Sequence, residues 1–129
     1  MILDSSAIIA ILLRQPGHER LVELIAEESA PGVGAPTLVE SGIVLTARAG
    51  QAGRTLLSRF IEESATIIIP FDHHHWATAV DAFSRYGKGR HPARLNFGDC
   101  LTYAVAKLAS EPLLALGDDF AQTDLDLVS

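Results

Sequence analysis

Four short apolar runs punctuate a chain that otherwise reads as helix, and this alternation limits the fold more than any other feature. The runs are "MIL" at 1–3, "GVGAP" at 32–36, "ATIIIPF" at 65–71 and "PLLAL" at 112–116. Each suits a short buried strand, and "ATIIIPF" has the β-branched content that packs well on a pleated surface. Between them lie segments of helical period. "SSAIIAILL" stops before Pro16, and "HERLVELIAEE" sets Leu21, Leu24 and Ile25 on one face. "TLVESGIVLTARA" reads as a mostly buried helix ended by Gly50, followed by the amphipathic "GRTLLSRFIEES". "HHHWATAVDAFSRYG" closes at Gly87, and "DCLTYAVAKLA" is apolar on most sides. Strands that alternate with helices imply a parallel sheet with helices on both faces. The expectation is one three-layer α/β/α domain over residues 1–129. Its central, mostly parallel sheet has four strands, or five if "LDLV" at 125–128 joins.

Apolar residues make up 48% of the 129, enough for a core without staples. No run of eighteen apolar residues occurs, so no membrane span is expected. The start, "MILDSSAIIAILLRQPG", lacks the basic leader of a signal peptide, and Asp4 interrupts it. The lone cysteine, Cys100, lies inside an apolar helix and reads as a small hydrophobe. Together these features point to a cytoplasmic protein. The formal net charge of −6 argues against a surface that coats phosphate broadly. Positive charge is concentrated instead in "RYGKGRHPAR", residues 85–94, which holds Arg85, Lys88, Arg90, His91 and Arg94 and no acid.

The acids follow a pattern of their own. In open α/β sheets, ligands bind beyond the carboxyl ends of the strands. Asp4 follows the first strand at once, and Asp118 and Asp119 follow "PLLALG". Glu40 comes one turn into the helix after "GVGAP", and Asp99 opens the helix that leads into "PLLAL". Each has a plainer reading. Asp4 suits an N-cap, and Thr37 with Glu40 matches a capping box. Asn96 suits a cap with Asp99 in its first turn, and Asp118 and Asp119 suit a solvated turn. Taken together, acids aimed at one sheet edge repel unless a cation lies among them. Mg²⁺ or Mn²⁺ answers that need, because both take hard oxygen ligands. Such a site suits phosphodiester hydrolysis.

"MILDSSAIIA", "LVESGIVL", "GKGRHPARLNFGDCLTYAVAK" and "PLLALGDDFAQTDL", in that order along almost the whole chain, resemble a PIN domain. More narrowly they resemble the VapC ribonuclease toxins of bacterial toxin–antitoxin pairs. The resemblance implies a PIN-like α/β/α sandwich and an Mg²⁺- or Mn²⁺-dependent endoribonuclease. It also implies a homodimer, inhibited by a cognate VapB-type antitoxin. Carried over by motif, the metal-binding and catalytic acids fall on Asp4, Glu40 and Asp99. The fourth falls on Asp119, with Asp118 as a further candidate. Ser6, in "DSS", matches a hydroxyl position beside the metal.

The basic loop gains a use in that setting. Lys88, Arg90 and Arg94 are expected to hold phosphates of an RNA strand, which positions it without reading its sequence. "DHHHW" does not read as a zinc site, since adjacent helical residues point about 100° apart. Asp72 as N-cap with exposed imidazoles is the expectation there, with Trp76 and Phe83 in the core. The main rival is a phospho-receiver-like signalling module with an acidic metal pocket and no nuclease activity. That class needs an acid pair at the end of strand one, where this chain has "DSS", and a lysine after a late strand. A phosphatase of the haloacid dehalogenase type would need Asp-x-Asp where Ser6 stands. A silent partner that keeps the fold would have no use for the full acid set.

Overall fold

Ile2 and Leu3 leave the sheet on opposite faces, and that alternation sorts the molecule into layers. The computed structural model describes residues 1–128. Its elements are β1 (Ile2–Leu3), α1 (Ser5–Leu12), α2 (His18–Ala26), β2 (Gly32–Gly34), α3 (Ala35–Glu63), β3 (Ile67–Ile69), α4 (His73–Tyr86), α5 (Phe97–Ala109) and β4 (Leu113–Leu114). All four strands are parallel, in the order β3-β2-β1-β4. The expected parallel α/β architecture is therefore present. "LDLV" contributes a single parallel bridge, Leu127 to Leu113, rather than a strand.

Leu3 and Leu114 pack with Ala7, Ile8, Leu21, Leu24, Leu45 and Leu57, so α1, α2 and α3 cover one face. Ile2 and Leu113 pack with Ala79, Ala82, Tyr86, Tyr103, Ala104 and Phe120, so α4 and α5 cover the other. The glycines of β2 face the α5 side. A Cβ on Gly34 would lie 2.7 Å from Val105 Cγ2, so the helix crosses that strand closer than any side chain allows. Val33 between them is fully buried on the other face.

The long helix α3 is broken at Gly50, whose φ of 60° and ψ of −144° lie outside helical geometry. The glycine stop read from the sequence is thus a sharp kink between two helical arms. The α3 start differs from the capping box drawn from Thr37 and Glu40. The cap is Gly34, with Pro36 just inside, and Thr37 is buried with its hydroxyl 3.0 Å from that of Thr102. Among the described residues Glu40 caps nothing, which leaves its carboxylate for another role.

On α4, Asp72 is the N-cap, as expected, but only two of the three imidazoles are exposed. His75 is buried, and its Nδ1 completes a capping box by accepting from the Asp72 backbone N–H at 3.2 Å. Trp76 and Phe83 are not core: they are 60% and 40% exposed. The helix carries two adjacent apolar stripes. The one with Ala79, Ala82 and Tyr86 faces α5, because alanines permit close helix approach. That choice lifts Trp76, Val80 and Phe83 to the rim of a surface groove of about 390 Å³, with Phe97 beside them.

Candidate functional site

β1 lies between β2 and β4 in the sheet, so the chain leaves it in one direction and later returns on the other side. That is the switch point at which open α/β sheets build sites. Asp4 stands there. Its backbone N–H donates to Leu114 O at 2.9 Å, which keeps it tied to β4 as the chain turns into α1. Its side chain caps α1: Oδ2 accepts from the Ser6 N–H at 3.1 Å and from the Ser6 hydroxyl at 2.6 Å. The residue is buried. Ser6 Oγ in turn accepts from the Leu116 N–H at 3.0 Å. One hydroxyl thus links the acid after β1 to the loop after β4.

Asp99 occupies the third position of α5. It forms a reciprocal capping box with Asn96: the Asp99 N–H donates to Asn96 Oδ1 at 2.9 Å, and the Asn96 N–H donates to Asp99 Oδ2 at 3.1 Å. These bonds fix the carboxyl at the helix mouth. Its charge is nonetheless disfavoured. Burial pushes the pKa up to about 6; the Asn96 N–H opposes the shift, while the carboxylates of Asp119, Asp4 and Glu40 add to it. Acids from three other segments of the chain therefore act on Asp99. Among these carboxylates Asp119 contributes most to the shift of Asp99. Asp118 and Asp119 both line a polar cavity of about 450 Å³ with Lys88, Arg94, Asn96 and Gln122.

Glu40 reaches Asp99's neighbour directly. A Cβ built on Gly98 would lie 2.9 Å from Glu40 Oε2 and 3.1 Å from Oε1. The absent side chain at 98 is what lets the α3 carboxylate lie against the start of α5. Among the described residues, Asp4, Glu40, Asp99 and Asp119 have no Lys or Arg ion-pair partner.

This donor set fits a hard divalent cation in chemistry: all four groups are carboxylates, crowded enough to oppose ionisation of Asp99. Among the described residues, no three His, Cys, Asp or Glu side chains are gathered tightly enough to grip one ion together. A cation held there would have one or two carboxylates bound directly and keep much of its water, as Mg²⁺ does. Cys100, next in the chain, is buried, and burial followed by the Asp99 charge pushes its thiol up to about 11. A thiol held that high is not a nucleophile.

The basic loop is pinched at its base, where the Lys88 N–H donates to Leu95 O and the Leu95 N–H to Tyr86 O, both at 2.9 Å. Lys88, Arg90 and Arg94 line a second cavity of about 550 Å³ that adjoins the acidic one through Lys88 and Arg94. Among the described residues none of the three is ion-paired, although Arg90 lies over the Phe83 ring at 5.4 Å. Arg85 and His91 are otherwise engaged. Arg85 donates to the Tyr86 hydroxyl at 2.9 Å, and His91 accepts from the Ala93 N–H at 3.0 Å with its ring edge-on to Tyr86. Sequence reasoning missed the apolar rim beside the acids. Val39, Ile43 and Phe97 are 61%, 65% and 79% exposed, and they line a groove of about 640 Å³ that includes Glu40 and Gly98. An exposed apolar surface of this kind marks an interaction face.

The PIN domain family matches residues 1–125 of this chain. Ribonuclease VapC36 of Mycobacterium tuberculosis is 48% identical over 127 residues, covering 98% of this chain and 91% of that protein. Ribonuclease VapC of Mycolicibacterium smegmatis is 36% identical over 128 residues, covering 99% of both. Among solved structures, the Sarcin-Ricin loop cleaving toxin VapC20 of Mycobacterium tuberculosis superposes with a TM-score of 0.80 at 17% identity, covering 98% of this chain and 97% of that one. VapBC2 of Rickettsia felis, bound to a DNA fragment from its promoter, gives 0.78 at 14% identity, covering 98% and 96%.

Proposed function

Because this chain belongs to the PIN-domain family, among its VapC ribonucleases, we propose that it is a metal-dependent endoribonuclease and the toxin of a type II toxin–antitoxin pair. It acts as one PIN domain over residues 1–129. The observation that carries the reading is the convergence of four carboxylates, without a Lys or Arg ion-pair partner among the described residues, at the carboxyl edge of the sheet. Asp4 and Asp99, each held by a cap, would bind Mg²⁺ or Mn²⁺; Glu40 and Asp119, both exposed, would hold its water shell. The bound ion would supply an activated water and neutralise charge on the phosphate. Ser6 keeps the Asp4 carboxylate aimed and ties it to the loop that carries Asp119. In the hydrolysis, the water oxygen adds to phosphorus and the bond from phosphorus to the leaving ribose oxygen breaks.

The partners under this reading are an RNA substrate, a VapB-type antitoxin and a second copy of the chain. The apolar rim next to Glu40 supports a protein partner that covers the site. Among the described residues no helix is long and apolar enough to cross a membrane. The signalling alternative is weakened by Lys107, whose ammonium is held 2.7 Å from Asp124 rather than offered to the acids. Purified protein is expected to cut RNA with Mg²⁺ or Mn²⁺ and to stop in chelator, with Asp4→Ala inactive. RNA left intact under all these conditions would overturn the reading.

The basic loop carries its own expectation. Lys88→Ala and Arg94→Ala should each raise KM for RNA about tenfold and lower the salt dependence of binding by about one charge, with kcat nearly unchanged. Binding measured across a salt series checks this, and a slope equal to that of the wild type would remove these residues from the RNA path.

A further inference from the structure

Asp99 is the first member of a row on α5. Tyr103 and Lys107 follow at steps of four, so the three side chains lie along one ridge of the helix. The far end of that ridge grips a residue that no reading of the acids includes. The Tyr103 hydroxyl donates to Asp124 Oδ1 at 2.7 Å, and the Lys107 ammonium donates to Asp124 Oδ2 at 2.7 Å. Arg85 of α4 adds a contact to Oδ2 at 3.9 Å. Both carboxylate oxygens are thus taken by charged or hydroxyl donors. Tyr103 is itself buried, so this partner satisfies its hydroxyl.

Asp119 lies five residues before Asp124. Between them Phe120 is buried in the α4–α5 core, and two turns, Ala121 N–H to Asp118 O and Thr123 N–H to Phe120 O, both 3.1 Å, shape the segment. On its other side the segment is pinned by the Leu116 N–H on Ser6. Asp119 is exposed, sits between these anchors, and lines one cavity with Asn96, the N-cap of α5. The segment therefore runs along α5, with Asp119 near its capped start and Asp124 at Tyr103 and Lys107.

We propose that Asp124 is a positioning residue: held by Tyr103 and Lys107, it fixes the segment that carries Asp119 against the helix that carries Asp99. The geometry stands by itself; its consequence for metal binding rests on the function proposed above. The test compares Asp124→Ala with Leu57→Ala, a core truncation on the opposite face of the sheet. Amide exchange over residues 117–122 in the metal-free protein should rise about tenfold in Asp124→Ala and stay unchanged in Leu57→Ala. Mn²⁺ affinity, measured by calorimetric titration, should fall about tenfold in Asp124→Ala and hold in Leu57→Ala despite its lower Tm. In an Asp119→Asn background, Asp124→Ala should weaken Mn²⁺ no further. If Asp124→Ala does not fold, the pair Tyr103→Phe and Lys107→Met is measured in its place. Unchanged exchange over 117–122, or equal loss of Mn²⁺ affinity in Leu57→Ala, overturns the proposal. Should the wild type bind no Mn²⁺, the metal reading falls, and the exchange result alone decides the role of Asp124.

Discussion

Asp99→Asn is expected to lower RNA cleavage about a thousandfold and, in the absence of metal, to leave the protein more stable than the wild type above pH 6. The two effects have one cause. Asparagine keeps an oxygen to accept from the Asn96 N–H, so the capping box survives. It removes a charge that burial and three neighbouring carboxylates oppose, a charge a cation would need. In the folded chain the Asp99 pKa is raised from 3.8 to about 6. Between those values the folded state holds a proton the unfolded state has lost, so stability falls as pH rises across that window, and the full cost remains above it. Because the group is only about half-buried, solvent screening reduces that cost to roughly 1 kcal/mol. Thermal unfolding in chelator at pH 5 and pH 8 measures it. The variant should gain on the wild type at the higher pH, by a few degrees at most. Mn²⁺ should then raise the Tm of the wild type and not that of the variant. A variant less stable than the wild type at pH 8 without metal would make Asp99 a cap whose charge merely complements the helix end.

Gly98→Ala should separate activity from stability in the other sense. Alanine suits a helix better than glycine, and the three nearest atoms it would meet all belong to the Glu40 carboxylate, its oxygens at 2.9 and 3.1 Å. Those atoms end a flexible side chain, so the fold yields easily and Tm should hold or rise slightly. The carboxylate, however, must swing away from the start of α5. A displacement of about 1 Å in a catalytic group costs on the order of a hundredfold, and a fall in kcat of that size is expected. Steady-state cleavage beside a melting curve tests it. Full activity would mean that Glu40 does not work from its place against Gly98.

Much of this was legible because its determinants are local. The strand–helix alternation needs only periods of two and 3.6, and these survive in "MIL", "ATIIIPF" and "PLLAL" whatever the rest of the chain does. Asp4 and Asp99 were readable as helix-start residues because a cap is formed within three residues. Glu40 was less clear: "TLVE" has the form of a capping box, yet Gly34 with Pro36 starts the helix one turn earlier. Gly34 also lies tight against Val105 of α5, a fit that no local pattern reports. Trp76 and Phe83 were misplaced for a similar reason. Two apolar stripes on α4 satisfy the same period, and the demand for close approach to α5 selects the one with alanines.

The sequence by itself determined the layers and the order of the acids, since both follow from spacing along a chain whose local geometry is fixed by sterics. It also placed four of the ten Lys and Arg residues within 85–94. Only the tertiary structure decided that Glu40 lies in the space Gly98 leaves, and that Asp124 is bound to a helix 17 and 21 residues before it. The physical reason is the same throughout. A cap or a stripe is settled by neighbours in the chain, whereas these contacts exist only after α5 has packed across the sheet and brought distant segments within reach of a hydrogen bond.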